Sequence, residues 1–457
     1  MSHTPKKETA GGSRLPTVLL SIEHKEREFL PKCLLALHFA KSGFRVYLGS
    51  TEAVDELAMR INPSVYLHKS THPKSPAFKA MGHVFAVLDE EGGVTTPVST
   101  VEEFCFWRYS TVDPGRQDLI LLPSKRWSTA VSKMSNVDDV AVKVTGWPRV
   151  DLWRSTYSEI SRSEVDHIQR TEGNFYLFPT SFGGGHESSF KEVIDSSPNE
   201  MFRQIQLHKF RAFKTYTDLV REIAPNLPQG TSLVIRPHPS EKLSEWKEAM
   251  AGVPNVKIIR EGDIAPWILG AQALLQFGST TVTQAAMNGK LNVQYRIEHV
   301  EGITDSPSFE LALEATTPEE VLSLLGRPDE KLEEIRERAL AVLESEMDYS
   351  DEQLAVTKVV DAISSVALPA IRAHKLGLSL RARLFALHFG SGLRHIMRKV
   401  GVLSFSGKTI FENIPGGINS AQVEDAMLRM AKAETAPAEF VVLNVGRNLV
   451  AIEPLKD

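Results

Sequence analysis

Short apolar runs alternate with helical stretches along most of this chain, and that alternation limits its possible folds more than any other feature. The pattern begins at Leu15 and is typical of βαβ units, in which helices cover a parallel sheet. One series of five or six predicted strands ends near residue 155, and a second series of similar length occupies residues 170–350. The sequence therefore predicts an α/β protein with two doubly wound, Rossmann-like domains that face each other across a cleft.

The predicted domains leave two segments outside them. Residues 1–14 are polar and are predicted to form a flexible leader. The first domain is assigned to residues 15–155 and the second to residues 170–350. Residues 371–457 are predicted to form basic amphipathic helices, followed by a small α+β tail with a helix near 421–433 and a β-hairpin.

The composition is that of an ordinary globular protein and excludes several other classes. Lysine and arginine together number 52 against 57 aspartates and glutamates, and the net charge of −5 gives no overall positive field to attract nucleic acid. The two cysteines, Cys33 and Cys105, are too few for a disulfide scaffold. No apolar run approaches the roughly 18 residues of a membrane span.

The sequence Arg236-Pro237-His238-Pro239 follows a predicted strand and would present an imidazole to the cleft on a stiff backbone. A donor imidazole there can hold a phosphate oxygen. We therefore predict that Arg236, His238 and Pro239 belong to a phosphate-binding site. An ordinary turn at the end of a strand is the alternative.

Hydroxyl side chains at Ser279, Thr280 and Thr281 separate a predicted strand from a predicted helix. The free N–H groups and the positive dipole end of a helix N-terminus favour an anion. These residues are therefore predicted to form a second phosphate-binding element. An ordinary N-cap explains them equally well.

Three consecutive carboxylates, Asp89, Glu90 and Glu91, follow the predicted strand Val84–Leu88 and precede two glycines. Like charges that crowd together raise the pKa of a partly enclosed carboxylate, as a general base requires. The glycines allow a tight turn that directs the acids into the cleft. We predict that the catalytic base lies in this triplet, with a solvated acidic turn as the alternative.

Two further candidates follow predicted strands. Gly183 lies in the glycine-rich stretch 180–186, which could approach a phosphate closely, although it matches no standard nucleotide-binding motif. His24 follows the first strand and is expected on the acceptor side of the cleft, with a surface histidine as the alternative. No residues have the spacing of a metal site, so neither a metal nor another cofactor is expected.

The acidic turn at 90–92, the His-Pro at 238–239 and the hydroxyl run at 279–281 form a recognisable set. They resemble the motifs of bacterial GT-B glycosyltransferases that use CMP-activated sugars, among them sialyltransferases, polysialyltransferases and capsule Kdo transferases. Over residues 15–350 the chain is also similar to surface carbohydrate (capsule and O-antigen) biosynthesis proteins. The stretches that carry this broader similarity are Leu19–Glu23, Gly43–Val46, Leu88–Gly92 and Val144–Asp151.

The resemblance implies a role for each element. The first domain would bind the acceptor and the second the nucleotide of a nucleotide-sugar donor, most closely a CMP-sugar. Glu90 or Glu91 would deprotonate the acceptor hydroxyl. His238, with Ser279 and Thr280, would stabilise the phosphate charge that develops as the nucleotide leaves. The acceptor would be a glycan or a lipid-linked glycan, and the transfer would need no metal.

The basic region predicts a membrane partner. Between Arg372 and Lys408 there are eight basic residues and no Asp or Glu, with apolar residues at helical spacing. Basic amphipathic helices bind the anionic inner leaflet, where lipid-linked acceptors lie. We expect a cytoplasmic protein that binds peripherally to the inner face of the plasma membrane. A solvated helix pair packed on the C-terminal region is the alternative.

Three other functions are compatible with the same residues. A CDP-glycerol-type glycerophosphotransferase would use the same His-Pro and hydroxyl-rich helix start. A nucleotide-sugar 2-epimerase would bind its ligand in the same cleft but would need no lipid-linked acceptor. A catalytically inactive scaffold of a polysaccharide assembly complex would tolerate the loss of Glu90, Glu91 and His238.

Overall fold

The protein contains two parallel sheets, and these form the cores of two α/β domains, as the sequence predicts. The computed structural model describes residues 15–183, 190–197, 200–300, 304–327, 331–367 and 414–455. The predicted leader and the predicted basic helices lie outside these residues. No helix in the described part of the chain is long and apolar enough to cross a membrane.

The structure contains the following strands and α-helices among its described residues. The strands are β1 (Thr17–Ile22), β2 (Arg45–Ser50), β3 (Val65–His68), β4 (Val84–Leu88), β5 (Leu119–Leu122), β6 (Ala141–Val144), β7 (Asn174–Pro179), β8 (Thr231–Arg236), β9 (Val256–Ile258), β10 (Ala273–Gln276), β11 (Leu291–Tyr295), β12 (Leu313–Ala315), β13 (Phe440–Gly446) and β14 (Leu449–Pro454). The helices are α1 (Lys25–Lys41), α2 (Thr51–Ala58), α3 (Ser75–Ala80), α4 (Val101–Tyr109), α5 (Lys125–Val131), α6 (Pro148–Asp151), α7 (Arg162–Glu172), α8 (Phe190–Asp195), α9 (Glu200–Ile223), α10 (Leu243–Ala249), α11 (Ile264–Gly270), α12 (Thr281–Met287), α13 (Pro318–Leu325), α14 (Leu332–Met347), α15 (Ala355–Ala362) and α16 (Ser420–Ala433).

The strand order shows that each sheet belongs to its own domain. The first sheet has the strand order β13-β14-β2-β1-β3-β4-β5-β6, in which β1 to β6 are all parallel. The second sheet has the order β12-β11-β10-β7-β8-β9 and is parallel throughout. The central strands β3, β4, β8 and β10 are buried at every residue. Continuous apolar runs suit this position, because helices cover both faces of a parallel sheet.

Helix α1 begins earlier than the sequence indicates. The sequence predicts a helix over residues 31–41, because proline is favoured in the first turn, but the helix begins at Lys25 and carries Pro31 inside it. The His24 carbonyl accepts the first helical hydrogen bonds, and Glu26 and Glu28 lie in the first turn, where the helix dipole favours acids. The earlier start extends the helix to the cleft and places Arg27 beside the acidic turn.

The last described part of the chain returns to the first domain. Strand β14 pairs antiparallel with β2, from Leu449 opposite Gly49 to Ile452 opposite Val46. Helix α16 packs on α1, and Glu434 at its end accepts hydrogen bonds from His38 and from Tyr157, the latter at 2.7 Å. The predicted hairpin therefore exists, and it extends the first sheet.

The two domains also meet beside the cleft. Arg126 of the first domain forms an ion pair with Glu346 at the end of α14, and Ser99 donates a hydrogen bond of 2.9 Å to Asp305. The Trp107 ring on α4 lies 4.7 Å from the Phe202 ring on α9. These contacts fix one side of the cleft, onto which the carboxyl ends of β1, β4, β7 and β8 open.

Candidate active site

Asp89, the first acid after β4, holds the turn together. The residue is buried, and its two carboxylate oxygens accept hydrogen bonds from the Arg108 side chain and from Tyr109 Oη at 2.6 Å. Its Oδ1 also accepts the Glu91 backbone N–H at 3.0 Å. The prediction of Asp89 as a candidate for the catalytic base is therefore corrected, because both of its carboxylate oxygens already accept hydrogen bonds inside the domain.

Glu90 is also turned into the protein. Its side chain is buried, and its Oε2 lies 3.6 Å from Nζ of Lys32 on α1, which is itself buried. The Glu90 carbonyl accepts hydrogen bonds of 3.0 Å from both Arg27 and Arg149. Glu90 therefore pairs with a buried cation and supports the turn from within.

Glu91 is the acid of the triplet that reaches the cleft. Its side chain is about one-third exposed, and its Oε1 accepts a hydrogen bond of 2.8 Å from Arg27. Burial acts to raise the pKa of Glu91, but the nearby positive charges, Arg27 first and then Arg108, outweigh burial and lower this pKa. Glu91 is thus ionised at neutral pH and able to accept a proton.

His238 follows β8 in the second domain, where the sequence places it. Its Nδ1 accepts hydrogen bonds from the Ser240 backbone N–H at 3.2 Å and from Ser240 Oγ at 2.7 Å. Nδ1 is therefore the acceptor nitrogen, and in the neutral ring this network assigns the proton to Nε2. His238 can thus donate one hydrogen bond from Nε2 into the cleft.

The cleft keeps His238 uncharged. The ring is accessible to water, but the surrounding protein displaces much of the bulk solvent, and this desolvation lowers the pKa of His238 to about 4. The positive charges of Arg27 and Lys209 lower it further, while Glu91 opposes them. His238 is neutral at pH 7 and would bind a phosphate oxygen as a hydrogen-bond donor.

The same electrostatic neighbours show which residues meet across the cleft. His24, Arg27 and Glu91 of the first domain all lie close enough to His238 to shift its pKa. His24 caps the start of α1 through its carbonyl, and its ring lies 3.8 Å from Glu23. His24 therefore acts electrostatically on His238, and its assignment to the acceptor side stays a prediction.

Arg236 does not point to a ligand, and its predicted role in phosphate binding is corrected. It is buried, and its terminal nitrogens donate to the carbonyls of Arg260, Glu261 and Gly262 at 2.7–3.2 Å. Its guanidinium also stacks 4.9 Å from the Trp267 ring. Arg236 fixes the 260–262 loop and so the base of the cleft. The neighbouring Pro239 is exposed and has no N–H to donate to a phosphate.

Gly183 gives its N–H to the protein itself. The buried carboxylate of Glu241 accepts hydrogen bonds from the backbone N–H groups of Phe182, at 2.7 Å, and Gly183, at 3.3 Å. Its other oxygen accepts from Thr180 Oγ1 and Trp246 Nε1. Gly183 was predicted to bind phosphate, but an internal carboxylate occupies its N–H, and this prediction is corrected.

Lys209 is a cation at the site that sequence reasoning missed. It lies on α9, and its Nζ is close to Gly183: a side chain at position 183 would bring a Cβ atom to 3.9 Å from this nitrogen. Burial lowers the pKa of Lys209, although Glu241 opposes the shift. Within the described part of the chain, Lys209 makes no hydrogen bond or ion pair. It is one of five basic residues in α9, and no sequence signal distinguishes it from the other four.

The hydroxyl run at the start of α12 forms a local cap. Ser279 Oγ accepts hydrogen bonds from the Thr281 backbone N–H at 3.3 Å and from Thr281 Oγ1 at 2.9 Å. Thr280 precedes the helix with helical dihedral angles. The side chain of Thr280, the N-cap residue, makes no capping hydrogen bond. Phosphate binding by Ser279, Thr280 and Thr281 stays a prediction.

Cationic side chains lie near His238 in the cleft. Among the residues that the structure describes, no three His, Cys, Asp or Glu side chains are grouped as a metal site requires. Arg27 and Lys209 instead supply positive charge near His238. Neither was predicted, because folding alone brings them close to His238, which lies far from both in the sequence.

Comparisons with known proteins find solved structures whose backbone follows a similar course to that of this chain. No protein-family model matches the chain, and no curated protein matches it. The HepE protein of Anabaena, solved with UDP and glucose, is 11% identical and is matched over 77% of this chain and 100% of its own, with a TM-score of 0.41. A Listeria monocytogenes protein assigned as a UDP-N-acetylglucosamine 2-epimerase is 15% identical over 77% and 96%, with a TM-score of 0.44. The wall teichoic acid polymerase TagF is 12% identical over 77% and 88%, with a TM-score of 0.44. Identities and scores this low support no assignment of function, which depends on the side chains of the cleft.

Proposed function

We propose that the protein is a GT-B glycosyltransferase of bacterial surface polysaccharide biosynthesis. It would transfer a sugar from a nucleotide donor, CMP-linked by resemblance, to a glycan or lipid-linked acceptor. One observation carries the proposal. A neutral histidine with a free Nε2 donor, His238, lies across an inter-domain cleft from an ionised and accessible carboxylate, Glu91. This pair supplies a phosphate ligand and a proton acceptor at the carboxyl ends of two sheets.

The chemistry divides between the two sides of the cleft. The acceptor hydroxyl oxygen forms a bond to the anomeric carbon, and the bond from that carbon to the phosphate oxygen breaks. The electron pair of the broken bond passes to the phosphate, where His238 and Lys209 stabilise the charge. The proton of the acceptor hydroxyl passes to Glu91. We prefer Glu91 to Glu90 because the Glu90 side chain is buried against Lys32.

Arg27 connects donor binding to the base. Its charge lowers the pKa of Glu91, which makes Glu91 a weak base, and it also acts on His238. A donor phosphate at His238 would attract Arg27 away from Glu91. The pKa of Glu91 would then rise, and its basicity would increase only when the donor is bound.

Calorimetric titration with CMP, CDP, UDP and GDP tests the donor site. We expect CMP or CDP to bind and His238→Ala to weaken this binding by roughly tenfold or more, as the loss of a hydrogen bond to a charged group predicts. His167→Ala, which alters an exposed histidine on α7, serves as the matched control. Binding of UDP alone would favour the epimerase or a UDP-sugar transferase. CDP binding followed by glycerophosphate transfer would favour the glycerophosphotransferase, and binding of no nucleotide would favour the scaffold.

We propose that the transfer needs no metal. Arg27, Lys209 and the Nε2 donor of His238 together provide the positive charge and the hydrogen bond that a leaving phosphate requires. Turnover that survives excess EDTA would support this, and turnover restored only by added Mg²⁺ or Mn²⁺ would contradict it.

We also propose that the protein binds peripherally to the inner face of the plasma membrane. The support is the composition of residues 372–408, with eight basic residues and no acid. Co-sedimentation with vesicles containing anionic phosphatidylglycerol, but not with pure phosphatidylcholine vesicles, is the expected result. A variant with the eight basic residues replaced by glutamine should remain in the supernatant.

A further inference from the structure

A small cavity opens in the first domain beside the acidic turn. Its volume is about 110 Å³, and its walls come from the loop after β3, from β4 and its following turn, and from helix α4. One water molecule needs at least about 10–15 Å³ of such volume, so the cavity has room for more than a single water. The cavity is open on one side and can therefore receive one edge of a sugar ring.

An aromatic side chain forms one wall of the cavity. Trp107 on α4 is 42% exposed, an unusual degree for a large apolar residue. Its ring meets Phe202 of the second domain at 4.7 Å, which holds it at the junction of the two domains. An exposed indole fixed in this way offers an apolar face for the C–H groups of a sugar ring.

Polar groups line the rest of the cavity. Arg108 uses Nε and one terminal nitrogen to bind Asp89, and its other terminal nitrogen, Nη1, has no partner in the described part of the chain. Ser70 and Thr71 add hydroxyl groups from the loop after β3. A guanidinium donor and two hydroxyls around an aromatic face fit the ring hydroxyls of a carbohydrate.

The cavity shares one wall with the turn that carries the proposed base. Asp89, which forms part of the wall, accepts the backbone N–H of Glu91 at 3.0 Å. Arg108 is close enough to Glu91 to lower its pKa. A ring in the cavity would therefore lie beside this turn, although the Glu91 side chain itself is not part of the cavity wall.

We propose that this cavity is a carbohydrate subsite that binds one sugar ring of the acceptor through Trp107, Arg108, Ser70 and Thr71. The identification of the ring as the acceptor rests on the proposed function. The binding of a sugar there does not, because it needs no nucleotide and no turnover.

Saturation-transfer NMR with methyl glucoside, N-acetylglucosamine and glucuronic acid at millimolar concentration tests this subsite without any donor. We expect at least one of these sugars to receive saturation from the wild-type protein. Trp107→Ala and Thr71→Val should each reduce that signal at least severalfold. The control is Phe106→Ala, which alters the neighbouring residue of α4, itself 67% exposed and not part of the cavity wall.

The outcomes separate the subsite from the proposed function. If no sugar binds the wild-type protein, or if Trp107→Ala and Thr71→Val bind sugar as the wild type does, the subsite is wrong. CMP binding should be unchanged in Thr71→Val, which also reports that this variant is folded. Sugar binding without any nucleotide binding would retain the subsite and contradict the glycosyltransferase. Nucleotide binding without sugar binding would do the reverse.

Discussion

The two walls of the cleft differ in whether their charged and polar side chains already have partners. In the first domain, the acidic turn is internally paired: Asp89 with Arg108, Glu90 with Lys32 and Glu91 with Arg27. In the second domain, His238 directs a free Nε2 donor into the cleft, and Lys209 makes no hydrogen bond or ion pair with a described residue. Because its acids are paired with cations, the first-domain wall suits a neutral acceptor, and only Glu91 is placed to leave its partner and accept a proton. The second-domain wall offers unpaired donors, which suit a phosphate.

Glu91→Gln should produce the largest effect, on turnover. Loss of a general base costs roughly 100- to 10,000-fold in kcat, whereas nucleotide binding should not change, because Glu91 binds no phosphate in this account. Steady-state kinetics and calorimetry on the same preparation measure both quantities. Full activity in Glu91→Gln would show that the base lies elsewhere.

Glu90→Gln should act on stability instead. Removing this carboxylate leaves the buried Lys32 ammonium without its partner, which typically costs about 3–5 kcal/mol. Urea denaturation should show this loss in the free energy of unfolding. Glu90→Gln combined with Lys32→Met should recover much of it. A single variant as stable as the wild type would mean that the buried pair contributes nothing.

His68, the last residue of β3, gives the first domain a pH dependence. Burial lowers the pKa of His68 to about 4, although a hydrogen bond to the Ser70 carbonyl opposes the shift. The unfolded chain therefore binds a proton between about pH 6.5 and 4 that the folded state does not, and the contribution to stability is lost as pH falls through this range. The expected loss is about 3 kcal/mol. His68→Gln should flatten the curve of unfolding free energy against pH, and an unchanged curve would contradict the assignment.

Lys209→Gln should give the smallest effect, on binding alone. Loss of one cation near the phosphate should weaken nucleotide binding by roughly tenfold. The folded protein should be no less stable, because burial already disfavours the charge of Lys209. Lys214→Gln, one turn further along α9, is the comparison. Equal nucleotide affinity in both variants would remove Lys209 from the site.

The sequence predicts the sheets better than the ends of helices. Strands such as β4 are continuous apolar runs, and their burial on both faces follows from that composition. The start of α1 was misplaced at Pro31, because a proline inside a helix is less common than one in its first turn. Strand β12 was missed, because three residues with a central Glu314 carry no apolar pattern.

The sequence locates residues at strand ends, whereas it does not show which partners folding brings to them; the roles of Glu91 and His238 stay predictions. His238 and Glu91 lie at strand ends that the pattern identifies. Gly183 and Arg236 fail because Glu241 and the 260–262 loop, each brought close by folding, occupy their hydrogen-bonding groups. The pairing of Glu90 with Lys32 depends on the packing of α1 against the sheet, which a sequence without a structure does not specify.

Histidine ¹⁵N NMR on the labelled protein, with and without CMP, reports both the protonation of His238 and its contact with the nucleotide. We predict that His238 stays neutral, with its proton on Nε2, from pH 8 down to about 5, as a pKa of about 4 requires. It also predicts that the Nε2 resonance shifts when CMP binds. A His238 that titrates near its ordinary pKa, or whose Nε2 signal is unchanged by saturating CMP, would contradict the claim that this neutral donor holds the phosphate.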